Sequence, residues 1–495
     1  MKTLQIFFVV LFLSATGLAQ TGGGNFLQFK GRIGFDDEKE HLEARYFSAD
    51  ETQVTLIGLK TIQTWDIPTA KLIESHPHEI EMLDEFKGMA YEFSPDGSKV
   101  VTLDSLGGDG TKKEDRVNAY AYNVKTGKRI ATLERPDYSV RIGRWTADGE
   151  TFVTFSAFFG FQAQTEISFW NGKDLSFRNS VVVEGYSWYS IAPDGKRIYV
   201  GNGGYSKVFG LRVNFANKGD IIRAYDLQTG ELVKSFDDSG ASFEVERGYT
   251  FLSPDGRFIS TAKDKNTLVW DTQEGDSKPL YELTAPNGKN RMRPEGFSDD
   301  GEYLFIRQDG KNEFYDPATG KLAADVPQLV WLRRENEYFV RARYNIYNFL
   351  IQPGYIRKDS VQVTPDGRYA VITPCEKATV LDLTTNQKVF AVDSGCDYDS
   401  SKYNNDYDRI SKTYYYSKDV FRLSPRGKLL INFRATQFVV RDLKTGAVLQ
   451  QIKRADDKNL QNVPKWNMEW DFKGDSALTI AEGNRLMLIW EINEN

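Results

Sequence analysis

The chain is poor in the residues that much enzyme and metal chemistry needs. Its 495 residues hold three histidines, His41, His76 and His78, and two cysteines, Cys375 and Cys396. Imidazoles this scarce argue against a His-rich metal site or a histidine acid–base pair. A basic block is also missing: 63 Lys and Arg are scattered among 69 Asp and Glu, for a net charge of −6, which speaks against a nucleic-acid or anionic-membrane surface. After the first residues no apolar run approaches the roughly 20 positions of a membrane span. Aromatic side chains, in contrast, make up 13% of the chain, which suits packed strands better than disorder.

The first residues have the layout of a secretory signal. Lys2 supplies charge, Leu4 to Leu13 an apolar stretch, and Gly17-Leu18-Ala19 a small-residue exit before Gln20. The apolar stretch is too short for a transmembrane anchor, and no cysteine stands near the exit to carry a lipid. Residues 1–19 are therefore expected to be a signal peptide, and 20–495 an exported chain. The even cysteine count fits an oxidising compartment.

A chain this long forms one domain only if its architecture repeats. A short signature does recur. Its clearest copy runs from Leu252 to Gly275: Ser253-Pro254-Asp255-Gly256, then Phe258-Ile259-Ser260-Thr261, Asp264, and Leu268-Val269-Trp270-Asp271. Pro presets φ for the second position of a type I turn, Asp bonds its own backbone, and Gly takes the left-handed position that closes the hairpin. The turn returns as Ala49-Asp50-Glu51, Pro95-Asp96-Gly97, Ala147-Asp148-Gly149, Pro193-Asp194-Gly195, Asp299-Asp300-Gly301, Pro365-Asp366-Gly367, Pro425-Arg426-Gly427 and, degraded, Phe472-Lys473-Gly474. A third-strand ending returns as Trp65-Asp66, Tyr225-Asp226, Tyr315-Asp316, Leu381-Asp382, Arg441-Asp442 and Trp490-Glu491. Several units then carry a Gly turn, at Thr126-Gly127, Thr229-Gly230, Thr319-Gly320 and Thr445-Gly446. A weaker unit without the Asp-Gly turn lies between Gln328 and Arg357.

This pattern resembles the WD40 repeat family in its bacterial form with Ser-Pro-Asp-Gly turns, and the resemblance covers nearly all of residues 20–495. It implies an all-β fold: a β-propeller of about eight to ten four-stranded antiparallel blades. With the weaker unit counted there are roughly ten units of about 48 residues, against the roughly 40 to 45 of typical repeats. The family's Gly-His dipeptide is absent from most units, so its buried hydrogen-bond tetrad cannot form as written, and Asp264 matches only the aspartate position. His76-Pro77-His78 follows the first unit, as a degenerate Gly-His or, alternatively, a metal ligand pair. The last unit ends on a third strand, Leu486 to Ile492. Asn25-Phe26-Leu27-Gln28-Phe29 is expected to supply its fourth and close the ring.

In such blades the first-to-second and third-to-fourth turns share one face of the ring, and the second-to-third loops and blade connections share the other. Ser105 to Asp115, Ser156 to Gln164 and Asn202 to Asp220 read as insertions between second and third strands, and Asp393 to Lys418 as the longest connection. All four map to the second face, the expected binding surface. Phe158, Phe159 and Phe161 are a partner-binding patch or a strand continuation. Tyr205 and Phe209 belong to a long hairpin, with direct binding as the alternative. Asp397, Asp399, Asp406 and Asp408, interleaved with Tyr398, Tyr403 and Tyr407, offer oxygen ligands of the kind calcium takes, although the spacing is not that of an EF-hand and a solvated acidic loop is the plainer reading. Cys375 and Cys396 follow the second and fourth strands of one unit; a disulfide is expected, two free thiols being the alternative.

Two functions fit. In one, an exported, periplasmic or extracellular ring is a scaffold that docks a protein or peptide on its insertion-bearing face, without a catalytic group or cofactor. In the other it is a propeller hydrolase of lactonase-like type with a central calcium site. The turns are not the sialidase Asp box and no arginine triad can be placed, so the first reading is preferred.

Overall fold

The computed structural model describes residues 26–35, 40, 42–80, 89–104, 119–135, 138–158, 164–184, 186–202, 205–208, 211–214, 220–237, 250–263, 265–273, 277–285, 291–308, 311–324, 326, 329–334, 337–342, 356–357, 361–373, 377–385, 387–393, 419–434, 437–453, 456, 470–473, 476–481 and 486–494. Among the described residues the chain forms eight four-stranded antiparallel blades in a propeller ring, a six-stranded sheet and a two-stranded hairpin, with no helix. In chain order, blade 1 holds Ala44–Phe47, Gln53–Ile57, Thr61–Asp66 and Lys71–Pro77; blade 2 holds Met89–Phe93, Lys99–Asp104, Ala119–Asn123 and Arg129–Leu133. Blade 3 holds Tyr138–Trp145, Thr151–Phe158, Gln164–Asn171 and Phe177–Glu184; blade 4 holds Tyr186–Ile191, Arg197–Asn202, Asp220–Asp226 and Leu232–Asp237; blade 5 holds Thr250–Leu252, Phe258–Lys263, Asn266–Asp271 and Tyr281–Leu283. Blade 6 holds Val361–Val363, Tyr369–Ile372, Lys377–Asp382 and Gln387–Asp393; blade 7 holds Asp419–Leu423, Leu429–Arg434, Gln437–Asp442 and Val448–Lys453. Blade 8 joins Trp470–Lys473, Ser476–Ala481 and Leu486–Ile492 to the early strand Leu27–Gly34.

The signature turn folds for a local reason. The Ser253 hydroxyl donates to Asp255 Oδ1 at 2.5 Å and accepts the Phe258 N–H at 2.8 Å, while the Arg257 N–H donates to Asp255 Oδ1 at 3.0 Å. Gly256 closes the turn at φ 74°, where a side chain is disfavoured. The same glycine has a second duty. A Cβ on it would stand 2.8 Å from Pro193 in the preceding blade's turn, as one on Gly195 would stand 2.9 Å from Asp148. Consecutive turns therefore pack on one another, and the motif both closes a hairpin and spaces two blades.

The core is a series of seams. Ile57, Ile62, Val100 and Tyr122 fill the seam between blades 1 and 2. Leu103, Ala121, Phe152 and Trp170 fill the next, and Phe155, Phe169, Ile198 and Tyr225 the one between blades 3 and 4. Trp188, Phe236, Ile259 and Trp270 join blades 4 and 5, and Tyr369, Val380, Phe421 and Leu430 join blades 6 and 7. One sheet thus contributes to two clusters, one through each face. Full burial of such side chains stabilises by about 1.5–3 kcal/mol each.

Closure is as the sequence suggested. Leu27–Gly34 runs antiparallel to Leu486–Ile492, pairing Leu27 with Ile492 and Gly34 with Leu486, with a register shift between Phe29 and Gly31. The strand is held on both sides. Ile33 and Phe35 join Val54 and Leu56 of blade 1, while Leu27 and Trp490 join Phe438 and Val440 of blade 7. The Gln450 side chain of blade 7 completes the outer edge: it accepts the Leu27 N–H at 2.7 Å and donates to the Leu27 carbonyl at 3.1 Å. Turn glycines elsewhere sit against the preceding fourth strand, Gly446 against Phe390 for example. At the closing seam the sizes are exchanged: Ala70 holds the left-handed turn position and the strand residue facing it is Gly31, where a Cβ would lie 2.5 Å from the Ala70 Cβ.

The weaker unit is not a separate four-stranded blade. Its strands Leu329–Arg334, Glu337–Ala342 and Ile356–Arg357 continue one sheet with Met292–Ser298, Leu304–Gln308 and Lys311–Tyr315. The join is made by Phe297 opposite Arg333 and Ser298 opposite Leu332, on the edge of the unit's first strand. Of the preceding unit's own fourth strand, the described residues form a single bridge, from Tyr315 to Leu322.

Deleting residues 20–33 is expected to lower the melting temperature sharply, because it opens both seams flanking blade 8; an unchanged melting temperature contradicts the latch. A second expectation concerns acid. Burial would raise the Asp96 carboxyl, but hydrogen bonds from the Ser94 hydroxyl and from the Ser98 N–H and hydroxyl outweigh it and hold the group at about 2. In the same way the Thr364 hydroxyl and Arg368 N–H lower Asp366. A carboxyl lowered by folding stabilises fully above its unfolded value near 4 and loses that effect as pH falls towards the folded value. The melting temperature should therefore fall between about pH 4 and about pH 2, and less steeply in Asp96→Asn.

Candidate functional site

Strand order decides which loops share a face. Blades 1 to 7 each run first to fourth strand in sequence, so second-to-third loops and blade connections leave by the same side of the ring. Residues 105–118 lie between the second and third strands of blade 2, 159–163 between those of blade 3, and the hairpin between those of blade 4. The connection 394–418 joins blade 6 to blade 7. The strand ends that bracket these three segments and the connection therefore lie on a single side of the ring.

Blade 1 shows what this face looks like without an insertion. Its second-to-third turn is pinned by Glu40, whose carboxylate accepts the Leu59 N–H at 2.5 Å and the Lys60 N–H at 3.1 Å and is 4% exposed. His78 completes the clamp. Its Nε2 lies 2.9 Å from the Gly58 carbonyl and its Nδ1 accepts the Ile80 N–H at 3.1 Å, so both ring nitrogens are engaged and burial pushes its pKa down. His78, after the first unit, thus makes a structural bond to a strand turn. Its ring has no free lone pair for a metal. Among the described residues no group of three or more His, Cys, Asp or Glu could hold a metal ion.

At the seam of blades 2 and 3 the same face carries an ion pair whose carboxylate is buried. Arg135, on the connection leaving blade 2, donates from Nε to Glu166 Oε2 at 2.9 Å and from Nη2 to Oε1 at 2.6 Å. Its guanidinium also covers the Phe177 ring at 4.0 Å, and Glu166 is 2% exposed. Two-point geometry of this kind fixes orientation as well as charge. Glu166 pairs with Ser156 at the root of the 159–163 insertion, so the ion pair anchors that root. Sequence reading missed both charges, which lie 31 residues apart in no motif.

The expected binding residues fall as follows. Strands take both ends of Ser156 to Gln164: Phe158 is the last residue of the second strand of blade 3, opposite Tyr138, and Gln164 opens the third. The insertion there is therefore shorter than expected, and Phe158 belongs to the strand continuation. Phe159 and Phe161 lie outside the described residues. Tyr205 opens the hairpin of blade 4, Tyr205–Val208 against Leu211–Asn214, where the pairs Tyr205–Asn214 and Lys207–Arg212 alternate with Ser206–Val213 and Val208–Leu211. Phe209, Tyr398, Tyr403, Tyr407, Asp397, Asp399, Asp406, Asp408, Cys375 and Cys396 lie outside the described residues, as do residues 1–19.

No protein-family model matches the sequence, and no curated protein does. Among solved structures, the chain is similar to the crystal structure of a eukaryotic initiation factor at 12% identity and TM-score 0.47, over 85% of this chain and 90% of that one. It is similar also to the C-terminal WD40 domain of Sif2 at 14% identity and TM-score 0.36, over 81% of this chain and 95% of that one. The propeller rests on the chain's own strand order, and these likenesses add no weight to it.

Removing Arg135 leaves a buried carboxylate uncompensated. Arg135→Ala is expected to destabilise the ring by about 3 kcal/mol in denaturant unfolding, and Arg135→Ala with Glu166→Ala together by less than that.

Proposed function

We propose that this chain is an exported, non-enzymatic WD40-like propeller that serves as a scaffold, docking a protein or peptide on its insertion-bearing face. The observation that carries the reading is the asymmetry of the ring. Turns on one face are short, internally bonded and packed against their neighbours, leaving little adaptable surface. On the other side the blade 4 hairpin leaves the ring, and the strand ends that bracket 105–118, 159–163 and 394–418 support the reading that those segments rise there too. Rigid scaffolds place recognition on such loops. Phe159, Phe161, Tyr205, Phe209, Tyr398, Tyr403 and Tyr407 supply the aromatic contacts that interfaces favour. Export follows from the signal-like residues 1–19, and a Cys375–Cys396 disulfide accords with an oxidising compartment.

The test exchanges loops on one face at a time. Residues 203–219 and 394–418 are replaced by short Gly-Ser turns, and in a control chain the turn-face residues Lys125 and Lys444 are changed to Ser. The expected result is a partner that co-purifies in fixed ratio from the envelope with the parent and control chains and is lost from the loop-replaced chain, at equal melting temperature. A partner retained by the loop-replaced chain contradicts the reading. So does calcium-dependent lactone hydrolysis by the purified protein.

A further inference from the structure

One signature turn lacks its carboxylate. In Ser424-Pro425-Arg426-Gly427-Lys428 of blade 7, Arg426 stands where seven of the other turns have aspartate, the degraded Phe472-Lys473-Gly474 being the exception. That aspartate has two tasks. It accepts the hydroxyl two residues before it, at 2.5 Å for Ser94 to Asp96 and 2.6 Å for Thr146 to Asp148. It also accepts the N–H two residues after it, at 3.0 Å for Ser98 and 3.0 Å for Glu150. Arginine accepts neither. Ser424 is 2% exposed, so its hydroxyl is out of reach of solvent and its abandonment would carry the cost of a buried unpaired polar group.

Neither group is abandoned. The Ser424 hydroxyl donates to Glu494 Oε2 at 2.9 Å, and the Lys428 N–H donates to the same oxygen at 3.2 Å. The other oxygen, Oε1, accepts the Arg426 N–H at 2.9 Å, and the Lys428 ammonium reaches the Glu494 backbone carbonyl at 2.9 Å. Glu494 is 5% exposed. One carboxylate brought in from 70 residues away makes the two bonds that the missing aspartate would have made. The turn still closes as the others do, with the Gly427 N–H on the Ser424 carbonyl at 2.8 Å and the Leu429 N–H on the Ser424 hydroxyl at 2.9 Å.

The place of this contact in the ring gives it a consequence. Glu494 lies two residues past Leu486–Ile492, the strand that pairs with Leu27–Gly34, and the intervening Asn493 N–H donates to the Phe26 carbonyl at 2.9 Å. We propose that Ser424–Lys428 is a carboxylate-binding site whose occupant is Glu494, and that it forms a second clasp of the ring. The early strand closes the ring by a backbone ladder. The clasp ties the same blade to blade 7 by a charge-assisted side-chain contact.

The test is a four-chain cycle: parent, Glu494→Ala, Arg426→Asp, and both changes together. Glu494→Ala should lower the melting temperature by a few degrees and speed amide exchange in 486–494 by about tenfold or more. Adding Arg426→Asp to that chain returns an acceptor to the turn, so most of the melting temperature should come back. Exchange in 486–494 should remain fast, because the restored carboxylate no longer links two blades. In the parent background Arg426→Asp should not stabilise, the site being already filled. If Glu494→Ala fails to fold, recovery of folding by Arg426→Asp is the same supporting result. Unchanged melting and exchange in Glu494→Ala, or two changes whose costs simply add, overturns the proposal.

Discussion

Everything in this molecule depends on the need of each blade for two neighbours. A four-stranded sheet whose two faces are both apolar cannot stand alone in water, and here each seam from blade 1 to blade 5 has its own cluster of buried aromatic and aliphatic side chains. A linear stack would leave two such faces open at its ends. A ring leaves none, provided that the first and last parts of the chain meet. The pairing of Leu27–Gly34 with Leu486–Ile492 is therefore the condition under which the other seams exist, and the Gln450 amide and the Gly31–Ala70 contact are its local fittings.

The same constraint divides the ring into a face that is used up and a face that is free. On the turn face, Ser, Asp and Gly close hairpins such as Ser253-Pro254-Asp255-Gly256, and glycines such as Gly195 and Gly256 also accept the neighbouring turn, so packing constrains what stands there. On the opposite face the described turns are not stacked on one another in this way, and the blade 2–3 seam is tied there by Arg135 and Glu166. Blade 1 closes it tightly with Glu40 and His78, whereas blades 2, 3 and 4 extend it. The Arg135–Glu166 pair then stiffens the root from which one of the extensions leaves. A rigid root under variable loops is the arrangement a docking surface needs.

What could be read from the sequence follows the range of the physics. Ser253-Pro254-Asp255-Gly256 is legible because all its bonds lie within six residues, and the latch is legible because the last unit visibly lacks a strand. The unit from Gln328 to Arg357 shows where that stops. Two of its strands, Leu329–Arg334 and Glu337–Ala342, form where apolar runs stand, but periodicity says nothing about which edge a strand will join, and the unit joined the sheet before it. The insertion at 159–163 was read too long because Phe158 is as suited to a strand end as to a loop. Arg135–Glu166 and Glu494–Ser424 gave no local signal at all. The one hint of the latter was negative, an arginine in an aspartate position.

The central claim is that the ring is closed by its early strand, and amide hydrogen exchange of the intact protein tests it most directly. If the account is right, the Leu27–Gly34 amides that face Leu486–Ile492 exchange as slowly as those of that partner strand. Exchange of Leu27–Gly34 at the rate of a free tail, with Leu486–Ile492 still protected, would contradict it.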